Sequence, residues 1–276
     1  MSSTSATLAA PVAPARPAGT GALSRWLAGA LSIAACVVAW HLLATYHVRT
    51  PVITFANVPP PLEVAQAGLD LLESPKLLRH LGWSLLRITA GFLAAAAFGI
   101  GLGLLIGRFR WAQAVLQPPL EVLRPVPAVA WIPLAILMFP SSEVSMIFVT
   151  FTGAVFPILL NTVHGVEGAD ARLVASARSL GCRGQRVFSQ VILPAAAPSI
   201  ATGLSIGMGT CWFCLVSAEM ISGQYGIGYY TWESYTLQNY AGIVVGMLWI
   251  GLFGMGSSAL IRRAARVLMP WQGAGA

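Results

Sequence analysis

Apolar residues fill this chain in blocks long enough to cross a bilayer, and polar residues are confined to the short intervals between them. A hydrocarbon core about 30 Å thick takes about 20 apolar residues of helix. Six stretches qualify, at roughly 24–45, 83–107, 114–139, 144–164, 195–219 and 240–262. The third holds Pro118, Pro119, Pro125, Pro127 and Pro133, so a kink or break is expected there. Between the first two blocks, Leu62, Ala65, Leu69, Leu72 and Leu77 lie opposite Glu63, Gln66, Asp70 and Glu73. That spacing predicts an amphipathic helix lying on the membrane surface over about 60–80. The pattern as a whole predicts an all-α polytopic membrane protein with about six transmembrane helices, the membrane domain covering 23–265.

Two blocks carry a finer period. Gly91, Ala95, Gly99, Gly103 and Gly107 recur every fourth residue, as do Ser199, Gly203, Gly207 and Cys211. Small-xxx-small series let helix backbones approach closely in lipid. Four-residue steps drift around a straight helix, so two or three steps of each series are expected to form a contact face. That face would pack a bundle, or pack two copies of the chain around a pore.

Composition strengthens the membrane reading. The chain is 57% apolar and only 9% charged, against about 25% charged in a soluble domain, and its mean hydropathy is +0.74. A net charge of +7 would point to nucleic acid in a soluble protein. Here the cations sit in short loops, which makes them a topology signal, and no nucleic-acid partner is implied. Six spans put both ends on one side. If that side is the cytoplasm, it holds eleven arginines: Arg16, Arg25, Arg108, Arg110, Arg172, Arg178, Arg183, Arg186, Arg262, Arg263 and Arg266. The other side holds three basic residues, Arg49, Lys76 and Arg79, together with all six tyrosines. This bias predicts cytoplasmic termini and an outer aromatic belt of tyrosines with Trp232. Residues 1–22 are Ala-, Pro- and Ser-rich and are expected to be a disordered tail; 266–276 should be a short cytoplasmic tail. The block after residue 22 is too long for a signal-peptide core and should stay as an anchor.

Residues 165–194 form the longest predicted cytoplasmic loop. Asp170 is a good N-cap, Leu173, Val174, Ala177 and Leu180 make an apolar stripe, and Gly181 follows where a C′ glycine belongs. A second short helix from about Arg183 would present Val187, Phe188 and Val191 on one face, and Pro194 would end it and begin the next span. A plain connector needs only a handful of residues. An ordered, basic hairpin of helices suits insertion into a groove of a partner protein.

These residues resemble the "EAA" loop of ABC-importer permeases: Glu-Ala-Ala, three residues, Gly, nine residues, then Ile-x-Leu-Pro. Here Ala175, Ser176 and Ala177 occupy the first three positions, followed by Gly181 and by Val191, Leu193 and Pro194, at matching spacing. The family's glutamate falls on Ala175, so any ion pair it makes is absent. The resemblance extends over about 60–265. Ser84-Leu-Leu-Arg87 with Gly91-Phe92, Arg124-Pro-Val-Pro127, and Ala218-Glu219-Met220 with Gly226-Ile-Gly228-Tyr229 resemble the nitrate/sulfonate/taurine branch. The resemblance implies a type I permease architecture in the cell inner membrane and a second permease copy, making a homodimer. It further implies ABC ATPase subunits docked on the loop, an extracytoplasmic solute-binding protein, and a small anionic cargo. A thiamine-precursor-type cargo is the alternative within the family.

Other chemistry is sparse. The chain has no G-x-x-x-x-G-K-[ST] phosphate loop and its only lysine is Lys76, so ATP would have to be hydrolysed by another chain. The histidines show no metalloprotease spacing, and no cofactor or metal is expected. Cys211-Trp-Phe-Cys214 has redox spacing but lies in a span without βαβ context, and two thiols fall short of a zinc site, so packing is expected. Glu121 and Arg124, three apart, should form a local ion pair. Arg87 and Glu219, both near the outer end, are candidates for the pathway or outer gate, Glu219 more for structure because a carboxylate repels anions. An ion-gradient-driven transporter would need paired charges at mid-bilayer and inverted repeats, and an intramembrane enzyme a convergent His, Asp or Ser set.

Overall fold

The computed structural model describes residues 22–272, so the expected tail over residues 1–22 lies almost wholly outside the described residues. Residues up to Pro61 and residues from Leu62 onward are two compact units. The first unit contains α1 (Ala22–Thr45), whose apolar side chains are almost all exposed, as suits a helix meant for lipid. After it the chain turns back through an Arg49–Thr54 bridge, and Trp40 Nε1 donates to Pro59 O at 3.1 Å.

The second unit begins with α2 (Pro61–Glu73). Its buried residues are Val64 and Leu71, whereas Leu62, Leu69 and Leu72 of the expected stripe point outward. The helix also ends sooner than 80: Ser74 caps a new helix by accepting from Lys76 N, and Pro75 starts α3 (Pro75–Arg108) at the position where a missing N–H costs nothing. Leu77 therefore belongs to α3.

The proline-rich block is broken. α4 (Arg110–Leu123) holds Pro118 and Pro119, and a 3₁₀ turn (Ala128–Trp131) leads into α5 (Ile132–Met138). The two arms meet at 85° across Arg124–Pro127. Arg124 is still helical, its N–H donating to Leu120 O at 2.9 Å, but Pro125 and Pro127 after it remove two N–H donors and Pro127 is extended at ψ 133°, so the helix does not run through.

α6 (Ser142–Glu167) is the spine of the unit, packed between α3 and α9 (Leu193–Ser222). A Cβ on Gly91 would lie 2.8 Å from Thr150 Cβ, one on Gly103 2.6 Å from Thr162 Cβ and one on Gly107 2.7 Å from Val166 Cβ. Ala95 and Ala154 are fully buried in the same core. All five positions of the α3 series, four steps in a row, thus face α6, more than the two or three steps expected. The reason is that α6 answers in the same period, with Thr150, Ala154, Ile158, Thr162 and Val166. When both ridges step by four, the helices wrap together and the drift cancels. The α9 series packs on the other side of α6: Gly203 against Asn161 and Pro157, Gly207 against Ile158. Both series are consumed inside the chain, so they are not the surface that would pack two copies around a pore.

The remaining elements are α7 (Ala171–Ser179), a single turn α8 (Gln185–Val187), α10 (Ile227–Thr236) and α11 (Tyr240–Leu268). Among the described residues, five helices are long and apolar enough to span a membrane, and the bent α4–α5 pair has the length and apolarity of either a broken sixth span or a re-entrant loop.

Candidate functional site

Three places carry unusual chemistry. The first is the 168–194 loop. Asp170 accepts from Arg172 N at 2.8 Å and starts α7. At the other end Gly181, at φ +89°, donates to Arg178 O at 3.0 Å, and Cys182 N donates to Ala177 O at 3.0 Å. That pair of bonds is a complete Schellman stop, which a glycine in the left-handed region makes without strain. The helix is fastened at both ends yet buries none of its residues. Ala175, Ser176 and Gly181 are exposed, as are Leu173 at 55% and Leu180 at 85%.

The second half of the motif has a different position. Val191, Leu193 and Pro194 are half-buried at the root of α9. Pro194 does not end a separate helix. A π turn over Phe188–Ile192, closed by Leu193 N donating to Phe188 O, runs directly into α9, so the helix is continuous from Gln185. The wider turn absorbs the proline's missing donor, and such bulges recur at functional positions. Phe188 also lies under the Arg108 guanidinium at 4.4 Å, which ties the loop to the end of α3.

The second place is a charge cluster joining α3, α6 and α9. Arg87 is fully buried. Its Nε and Nη2 each donate to Glu143 at 2.7 Å; its Nη1 donates to Glu219 at 2.8 Å and to Tyr225 O at 2.6 Å. Glu219 in turn accepts from Ser84 Oγ and from Gly228 N at 2.9 Å. Ser84 Oγ accepts from Ile227 N, and His80 Nδ1 accepts from Gly226 N. α3 and α9 thereby hold the 225–228 backbone in place. Gly226, at φ +130°, is required because a Cβ would run into the Glu219 carboxylate. Arg87 lies 21 residues before Arg108, the end of α3, or about 32 Å of helix. The cluster therefore sits at the edge of the hydrocarbon core, not at its middle. Sequence reading singled out Arg87 and Glu219 but not Glu143, Ser84 or His80. The available signal was depth: Glu143 begins a span at the same end of the bundle as Arg87 and Glu219.

The third place is a cleft of about 590 Å³ between the α4–α5 break, α6 and α9. Thr152, Asn161 and Thr210 line it with Phe156 and Phe213, and Arg124 and His164 stand at one end. The expected Glu121–Arg124 pair is not made. Glu121 accepts from Gln117 Nε2 at 2.7 Å, and among the described residues the recorded ion pairs are both those of Arg87. Arg124 is still in helical conformation, its N–H donating to Leu120 O at 2.9 Å, but its side chain borders the cleft while Glu121 is held by Gln117.

Cys211 and Cys214 are free, buried thiols at the α6–α9 contact, where Cys211 Sγ lies 3.5 Å from Thr150 O and Cys214 meets Gly153. Among the described residues no group of His, Cys, Asp or Glu could hold a metal.

Comparison with known proteins adds the family. The model for the binding-protein-dependent transport system inner membrane component matches residues 99–272. The nitrate import permease NrtB of Synechocystis is 33% identical over 82% of this chain and 83% of its own length. An aliphatic-sulfonate transport permease, SsuC, of Bacillus subtilis is 32% identical over 90% of this chain and 88% of its own. The bicarbonate transport system permease CmpB of Synechococcus elongatus is 36% identical over 68% and 66%. With five helices long and apolar enough to cross a membrane, a glycine-stopped helix left uncovered at the EAA position and this match over most of its length, the chain belongs to the inner-membrane permeases of binding-protein-dependent ABC importers.

Proposed function

We propose that this permease carries a small anion inward, driven by ATPase subunits that dock on residues 170–191. The observation that carries the docking assignment is that α7 is capped at both ends but buries nothing of its own chain. Order without internal burial is the state expected of a segment whose contacts lie in another protein. The anionic cargo is supported by the relatives named for nitrate, aliphatic sulfonates and bicarbonate, and two copies of the chain would enclose the pore.

In this reading both termini lie in the cytoplasm, as the arginine bias of the loops supports, and the 220–240 segment lies outside, where a loaded solute-binding protein would meet it. Arg87 and Glu219 serve this outer end as fasteners of the 225–228 backbone: all three nitrogens of Arg87 are engaged within the chain. The loop lacks the family's glutamate at Ala175, so docking rests on the shape of the α7–Gly181 turn and on its exposed leucines.

The experiment is co-purification of the full-length chain from its native membrane. A P-loop ATPase should be recovered with it and lost on Gly181→Asp while the permease stays folded. Coupled ATPase activity and uptake that survive Gly181→Asp would refute the docking assignment.

A further inference from the structure

The charge cluster at the outer end leaves no cation unsatisfied, and the cleft does the opposite. Arg124 borders both the 590 Å³ cleft and a smaller cavity of about 120 Å³ beside it, and so does His164. Two carboxylates, Glu121 and Glu167, line the smaller cavity. Each is already held by a glutamine amide, Glu121 by Gln117 at 2.7 Å and Glu167 by Gln113 at 2.9 Å. Among the described residues the Arg124 side chain makes no hydrogen bond or ion pair, and it is exposed. No carboxylate lines the larger cleft.

Position along the helices gives this cation a place on a route. From Thr152 to His164 the cleft follows twelve residues of α6, about 18 Å of rise. His164 lies three residues before Glu167, the end of α6 in the topology that puts the 168–194 loop in the cytoplasm. The cation thus stands at the inner end of a passage whose remaining polar lining is neutral. A positive group against low-dielectric walls concentrates anions and repels cations. A guanidinium also matches the planar or tetrahedral oxygens of an oxyanion through paired N–H donors.

We infer that Arg124 is an anion station at the cytoplasmic end of the cleft, the group that makes this passage selective for a small monovalent oxyanion of carboxylate, sulfonate or nitrate type. The inference deepens the anion-import reading and rests on it for direction of movement. The local chemistry does not depend on which anion is the natural cargo. Arg124 is fixed as the last residue held by α4, its N–H donating to Leu120 O at 2.9 Å, with the 85° break directly after it. Glu121 is meanwhile engaged by Gln117, which leaves the cation unpaired.

The test reads the local field without needing ATPase coupling or a known cargo. A reporter thiol is introduced as Thr210→Cys in the full-length chain, with Cys36, Cys182, Cys211 and Cys214 replaced by alanine. Its labelling rates are measured in membranes with anionic 2-sulfonatoethyl methanethiosulfonate and with the cationic trimethylammonium analogue. The anionic-to-cationic rate ratio, relative to a free thiol, should be raised and should fall about tenfold on Arg124→Gln, while Arg124→Lys keeps most of it. Asn161→Cys is a second reporter if the Thr210 variant does not fold. A ratio equal to that of a free thiol, or one unmoved by Arg124→Gln, would overturn the inference. Either result stands apart from the Gly181→Asp experiment, which tests docking.

Discussion

The two ends of this permease handle polar groups in opposite ways. Around Arg87, two carboxylates, a hydroxyl, an imidazole and four backbone groups of the 225–228 segment satisfy one another inside a single chain. No buried side-chain polar atom of the described residues is left without a partner. At the 168–194 loop the backbone is just as well ordered, but leucines and arginines are left facing outward. One end is finished by its own chain, and the other leaves an ordered helix uncovered. The lesson is that order and burial separate cleanly: capping fixes a conformation, whereas burial says where the stabilising contacts are.

Substitutions should therefore have opposite signatures at the two ends. The largest effect belongs to Arg87→Leu. It strands Glu219, which is fully buried, and Glu143 without their cation, and removing one partner of a buried pair costs about 3–5 kcal/mol. The monodisperse fraction recovered in detergent should collapse on mild heating, and Arg87→Lys should restore part of it. If Arg87→Leu extracted and melted like the parent, the cluster would not be holding the outer end together.

Next in size is the α3–α6 seam. Gly103→Leu drives a side chain into Thr162, and overpacking of a close contact costs about 1–3 kcal/mol. The expected result is a lower melting temperature. Gly101→Leu, at a position with nothing within 4 Å, should leave it unchanged and serve as the control.

Gly181 stands on the border between the two behaviours. It has open space around it but a φ of +89°. A β-branched residue there should cost about 1–2 kcal/mol locally, loosening the stop of α7 without unfolding the bundle. Asparagine, which tolerates the left-handed region, should retain both fold and ATPase recovery. Comparing Gly181→Val with Gly181→Asn by co-purification separates backbone shape from side-chain bulk.

Smallest for the fold is Leu180→Ser. An exposed side chain away from any contact changes stability by within about 0.5 kcal/mol, so the melting temperature should hold. Recovery of the ATPase should nevertheless fall. A Leu180→Ser variant that melted early would mean that the loop's apolar stripe packs on its own chain after all.

Much of this could be read from residue patterns. Helix blocks, the Asp170 cap, the Gly181 stop and the small-residue series depend on near neighbours and periodicity, and those are properties of the string itself. The single-span reading of 114–139 needed only its prolines to be doubted, yet the 85° bend depends on where α5 finds its seat against α6. Pro194 misled for a related reason: a proline usually marks a helix boundary, but a π turn can carry the helix past it.

The sequence by itself determined the class of the molecule, the membrane blocks and the shape of the 168–194 loop, because hydropathy, period and turn chemistry act locally. Only the tertiary structure decided which residues meet. It set α6 between two matched small-residue ridges, brought Glu143 to Arg87 across 56 positions, and left Arg124 beside the cleft, unpaired with Glu121. Pairing of buried charges is a long-range matter of which spans become neighbours, and the string carries no record of that beyond the depth at which each residue lies.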